Sequence, residues 1–170
     1  MKKMLSALIG LAAVLVLPHV AYGDDNGGNS LRIRIGLSGA QEVPGVITNT
    51  TGTLRLDFDP GLSEARFRLM VNDGIGVTQA HLHCARAGAN GPVVVFLFGF
   101  APGGVNVDGV LSTGTLTNTE FLGADCTGTT GRPINNIASL ALAARDGLIY
   151  VNVHTNLNPA GEVRGQLFER

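Results

Sequence analysis

The sequence predicts an all-β fold, an antiparallel β-sandwich or Greek-key barrel, with one short helix near residues 136–146. Short alternating segments, punctuation by Gly, Pro, Asn and Asp, and a single alanine-rich exception lead to this expectation. Residues 31–38 run Leu-Arg-Ile-Arg-Ile, with Arg32 and Arg34 outward. Residues 51–58 alternate through Leu54, Leu56 and Phe58, and 65–71 through Phe67, Leu69 and Val71. Segments 77–83, 93–98, 110–116, 148–154 and 163–168 complete the predicted strands. Residues 134–146 differ: Ile137, Leu140 and Leu142 stand among alanines, the best helix formers. Asn135 and Asn136 supply an N-cap there, and Gly147 a C′ residue.

The N-terminus points to export. Met1-Lys2-Lys3 precedes an apolar stretch over residues 5–17, which Pro18 interrupts, and Ala21-Tyr22-Gly23 offers a cleavage site. That stretch is short for a bilayer span, which needs about 20 residues. We therefore expect a signal peptide over 1–23, a flexible leader over 24–30 and one domain over 31–170. The expected product is periplasmic or secreted, with no membrane span after cleavage. Its basic residues fall from 12 to 10 when Lys2 and Lys3 are removed, against 13 acidic ones, so the balance is 10 − 13 = −3. With no basic block and few aromatics, the chain offers nucleic acid no footprint.

Cys84 and Cys126 are the two cysteines, 126 − 84 = 42 positions apart. In an exported chain the expectation is one disulfide. A Cys-His metal site with the adjacent His83 is the alternative, disfavoured because on a continuing strand Cys84 points away from His81 and His83.

Three segments carry polar residues at every second position. Gln79, His81 and His83 share one strand face, Tyr150, Asn152 and His154 a second, and Glu162, Arg164 and Gln166 a third. The opposite faces, including Leu82, Val151, Val153, Val163 and Leu167, are core material. If the three segments are neighbours, their polar faces form one patch of imidazoles, a carboxylate and a guanidinium.

His81, His83 and His154 are all the histidines after residue 23, and three imidazoles suit a mononuclear zinc or copper site. Glu162 is then a candidate ligand or outer partner, with Gln79, Tyr150, Asn152, Arg164 and Gln166 around the centre. The competing reading is a metal-free hydrogen-bond network, favoured at this level because Arg164 would place a fixed cation beside a divalent ion. Sequence motifs for a serine nucleophile, a phosphate loop or a zinc-protease helix are absent, so catalytic residues are not assigned, and an enzyme is the less favoured reading. Glu42, before Val43-Pro44, is within reach of the polar patch or of Arg34, and nothing local decides between them.

Five motifs resemble the chordin-type (CHRD) domain family in order along the chain. They are Leu37-Ser38-Gly39-Ala40-Gln41-Glu42-Val43-Pro44, Ala80-His81-Leu82-His83, Gly91-Pro92-Val93, Tyr150-Val151-Asn152-Val153-His154-Thr155, and residues 159–167 around Glu162-Val163-Arg164. Gly45 stands where the family more often has a second proline. The resemblance implies an exported all-β binding or structural module with a protein or surface partner of unknown identity. A weaker likeness to copper-zinc superoxide dismutase lies in His81-Leu82-His83 and Val153-His154, implying an immunoglobulin- or dismutase-like arrangement. A dinuclear dismutase centre needs more histidines than these three, so the likeness extends to a mononuclear site only.

Overall fold

The computed structural model describes residues 30–168. The expected signal peptide, and the leader as far as residue 29, lie outside the described residues. Seven strands form a single antiparallel sheet: β1 (Arg32–Ser38), β2 (Thr51–Phe58), β3 (Ala65–Cys84), β4 (Val93–Phe98), β5 (Val105–Leu116), β6 (Ile149–Thr155) and β7 (Val163–Leu167). Two helices, α1 (Thr127–Thr130) and α2 (Ile137–Arg145), lie between β5 and β6.

Strand β3 makes the closure possible. Its first part pairs with β2 through Leu54↔Leu69, and its last part pairs with β6 through Leu82↔Val151. Strand β6 pairs with β7, β7 meets β1 at Ser38↔Arg164, and β1 pairs with β2. The circuit β1–β2–β3–β6–β7 is a closed five-stranded barrel, the barrel alternative of the predicted fold. β5 and β4 extend the sheet from the two parts of β3.

The sequence reading divided β3 into two strands, 65–71 and 77–83, because Asn72-Asp73-Gly74-Ile75-Gly76 reads as a turn. The chain instead bends without leaving the sheet. Asp73 and Gly76 take positive φ values of 53° and 63°, and the ladder to β5 shifts register on either side of Gly74. β5 likewise begins earlier than expected, at Val105.

Alternation fills the barrel. Ile33, Ile35 and Leu37 of β1, Leu54, Leu56 and Phe58 of β2, and Leu69, Val71, Ala80 and Leu82 of β3 are buried in one cluster with Val151, Val153, Val163 and Leu167. Each large aliphatic side chain so buried contributes about 1.5–3 kcal/mol. β1 and β7 approach closely at Gly165, where an added Cβ would lie 2.3 Å from Ile35 Cδ1 and 2.7 Å from the Gly36 carbonyl oxygen. Any side chain there would force the seam open.

Helix α2 matches the expected segment. Asn136 Oδ1 accepts from Ser139 N at 2.8 Å, Ser139 Oγ accepts from Asn136 N at 3.2 Å, and Gly147 follows at φ 68°. Ile137, Leu140, Ala141 and Ala144 face the core. Helix α1 was not foreseen. It begins directly after Cys126, which is disulfide-bonded to Cys84 with the Cα atoms 5.9 Å apart, so the expected bridge is present.

Candidate functional site

β7, β6 and β3 are adjacent, and their register brings the predicted polar faces together. His81 stands opposite Asn152, and Asn152 opposite Arg164; His83 stands opposite Tyr150, and Tyr150 opposite Gln166. Gln79 faces His154. These side chains point away from the barrel core, yet most are buried, because loop 85–92, loop 39–47 and Phe96 of β4 lie against them. The polar face then divides into three groups rather than the single patch expected.

The first group is the histidine centre. His81, His83 and His154 are 3%, 7% and 6% exposed. Each offers one ligand atom, and these atoms lie within 4.8 Å of one another. Backbone carbonyls set the tautomers: His83 Nδ1 donates to Gly91 O at 2.9 Å, and His154 Nδ1 to Pro159 O at 3.0 Å. The lone pairs of both rings therefore sit on Nε2. His154 Nε2 lies 3.1 Å from His81 Nδ1, which must carry the donated proton, so His81 too has its lone pair on Nε2. The Nε2 atoms of His81 and His83 are buried and have no hydrogen-bond partner.

Burial is the main reason all three imidazoles are held neutral. It pushes His81 down to about 3, helped by the neighbouring His154 and His83. It also lowers His83 and His154, against the raising effect of their carbonyl bonds. With the lone pair of His154 on Nε2, its 3.0 Å contact with Asn152 is a hydrogen bond when the Asn152 amide presents its NH2 group there. Phe96 meets the His81 ring edge-on with centroids 4.4 Å apart.

The second group keeps the cation away from the imidazoles. Tyr150 stacks on His83 at 4.7 Å with planes 8° apart, and Arg164 Cζ lies 3.4 Å from the centroid of the same phenol. The ring thus separates guanidinium from imidazole. Arg164, 1% exposed, donates to Asn90 Oδ1 at 3.1 Å, Ala89 O at 2.9 Å and Gln166 Oε1 at 3.3 Å. Gln166 Nε2 in turn donates to Ala85 O at 2.9 Å. The Arg164 charge still lowers His83, so the ring lengthens the distance between cation and imidazole without cancelling their repulsion.

The third group is the hydrogen-bond network of Glu162. Its carboxylate accepts from Thr155 Oγ1 at 2.9 Å and from Thr48 Oγ1 and Asn158 Nδ2. Among the described residues, no imidazole nitrogen is bonded to it. Donors from the loop before β2 and from the end of β6 with the turn after it surround the carboxylate and turn it away from the rings. Gln79 is half-buried opposite His154 and is not hydrogen-bonded to any of the three imidazoles.

Sequence reasoning left the role of Glu42 undecided and did not place Phe96, Asn90 and Gly91 at the site. Glu42 is buried against Gly161, where a Cβ would meet its Oε1 at 2.5 Å, and it shares a cavity of about 230 Å³ with Arg164 and Gln166. Burial raises its carboxyl to about 7, against the lowering influence of Arg164. Phe96 was hidden in the apolar run of β4, whose alternation is not visible. Asn90 and Gly91 carry no chemical signal of their own; the loop that follows the disulfide root at Cys84 delivers them to Arg164 and His83.

A closed all-β barrel, a disulfide and a buried polar face between loops define a class of disulfide-bonded β-barrel domain. The family model for the CHRD domain matches residues 33–167, and the chain belongs to that family. No curated protein and no solved structure matches the chain. No helix among the described residues is long and apolar enough to cross a membrane.

Proposed function

We propose that this CHRD domain is an exported binding module that holds one zinc or copper ion on His81, His83 and His154. The carrying observation is the pair of buried, partnerless imidazole nitrogens on His81 and His83. A buried polar atom without a partner costs about 1–3 kcal/mol, and a coordinated cation removes that cost for both. The carbonyl bonds from His83 and His154 are the outer support typical of metal-bound imidazoles, since they orient the ring and leave Nε2 free. Two metal–nitrogen bonds of about 2.1 Å at a tetrahedral angle set nitrogens about 3.4 Å apart, so ligand atoms within 4.8 Å must draw inward on uptake. Uptake exchanges the His81–His154 hydrogen bond for coordinate bonds, and the freed His81 Nδ1–H must find another acceptor.

The rings lie beneath Phe96 and loop 85–92, which supports an ion held for stability over one that turns over a substrate. The disulfide and the CHRD family fit an extracytoplasmic setting. The test is metal analysis and thermal unfolding of the mature chain, made without an affinity tag, after zinc or copper challenge. At a free metal concentration 100 times Kd the ion adds about 2.7 kcal/mol. That gain disappears in His81→Ala and His154→Ala. A wild-type chain that stays metal-free, with unchanged unfolding temperature, overturns the metal reading. Export is checked separately by the mass of the protein recovered outside the cytoplasm, which starts at Asp24 if residues 1–23 are removed.

A further inference from the structure

We infer that a groove at the β6–β7 turn is the docking site for a lysine side chain of an extracytoplasmic partner protein. The groove holds about 740 Å³ and is lined by Thr48, Asn49, Thr50, Asp73, Ile75, Leu157 and Glu162. Three separate segments build it: the loop before β2, the bend of β3 and the turn between β6 and β7. None of the three histidines lines it, so the inference stands apart from the metal reading.

Its floor carries a negative charge with no cation. Glu162 is 5% exposed, and no arginine or histidine nitrogen among the described residues comes within 4.0 Å of it. Burial alone would raise its carboxyl, but hydrogen bonds from Thr48, Asn158 and Thr155 outweigh that and hold it below the usual range. An ionised, buried carboxylate favours a cationic partner. Asp73 adds a second carboxylate at the mouth, where its backbone carbonyl accepts from Thr50 Oγ1 at 3.0 Å.

The walls define the shape of the cation. Ile75 and Leu157, large aliphatic side chains that line the groove with Glu162, are 75% and 83% exposed. Apolar walls above a carboxylate match four methylenes ending in an ammonium. A guanidinium fork fits less well, because Glu162 Oε2 already accepts from both Thr155 and Asn158, leaving no pair of open lone pairs for a bidentate bond. A compact ammonium can use the remaining site on Oε1 and the Thr48 and Asn49 oxygens.

The chain does not supply this cation itself. Its lysines are Lys2 and Lys3, both in the expected signal peptide. The amino group of a chain starting at Asp24 also falls short. Ser30 lies beside Asp59 and Pro60, at the opposite end of β1 from the groove. The seven residues of β1 span about 23 Å, and six leader residues reach at most about 22 Å before turning back along the barrel.

The test is a chemical-shift titration of the mature chain with N-acetyl-lysine N-methylamide, with N-acetyl-norleucine N-methylamide as the uncharged control. The lysine compound is expected to give saturable shifts at residues 48–50, 73–76 and 157–162, and the control none. Ile75→Ser and Leu157→Ser, both on the exposed rim, are each expected to weaken binding about threefold to tenfold, and Glu162→Gln to abolish it. Equal shifts from the norleucine compound overturn the inference. So does undiminished lysine binding by the folded Ile75→Ser/Leu157→Ser double variant, whatever Glu162→Gln does to stability.

Discussion

On one side of β3 and β6, Ala80, Leu82, Val151 and Val153 pack into the barrel; on the other, His81, His83, Asn152 and His154 lie under loops. Both sides are buried, and the same alternating backbone presents them. The inner side is stabilised by area and volume, which many apolar combinations can supply. The outer side is stabilised by matched donors and acceptors, and there the match is incomplete: Glu42 Oε1 and the Nε2 atoms of His81 and His83 lack partners. A face can therefore be buried without being finished. The unfinished positions are where a ligand gains most.

Each prediction tests that contrast by damaging one side and reading the other. The largest effect belongs to the inner side. Replacing Cys84 and Cys126 together by Ala opens a loop of 42 positions and costs about 4 kcal/mol in urea unfolding. Next, Leu82→Ala leaves a cavity beside Val151 and costs about 3 kcal/mol. Because its side chain points away from the rings, metal stoichiometry is expected to stay as in the wild type. Loss of metal in this variant at temperatures where it stays folded would break the separation of the two faces.

The outer side is more sensitive to pH. Folded His81 titrates near 3 and the unfolded residue near 6.5, so acidification through that window protonates only the unfolded chain and lowers stability. His83 and His154, also lowered, act in the same direction. Glu42 opposes them. Its carboxyl rises from 4.5 to about 7, so its contribution is full below 4.5 and is lost as pH rises toward 7. Glu42→Gln removes this opposition. In metal-free protein between pH 6.5 and 4.5, the acid-side loss of stability then steepens by about 1.4 kcal/mol per pH unit. An unchanged slope would show that Glu42 titrates normally. The smallest effect is Phe96→Leu, which removes the edge-on contact with His81 and costs about 1 kcal/mol in thermal unfolding.

Much of this was legible along the chain. The strand segments, the capped helix at 136–146 and the grouping of His81 with His83, and of Asn152 with His154, follow from periods of 2 and 3.6 residues that need no tertiary information. The Asp73 bend was misread because its φ of 53° and the flanking glycines are turn chemistry, and only the partner strands β2 and β5 keep the segment in the sheet. Helix α1 is too short to show a period. Glu162 illustrates the same limit inside the site. Its place beside Arg164 is set by alternation, but its carboxylate follows Thr48, a residue 114 positions away.

The sequence by itself determined which side chains share a face, because successive Cβ directions are set by local backbone geometry. It also determined that Cys84 faces away from His83. Only the tertiary structure decided the rest. It placed Tyr150 between His83 and Arg164, turned Glu162 out of the histidine centre, buried Glu42 on Gly161 and left two imidazole nitrogens without partners. Those outcomes depend on strand register and on loops distant in sequence, and hydrogen-bond satisfaction is a property of the assembled neighbourhood rather than of any one segment.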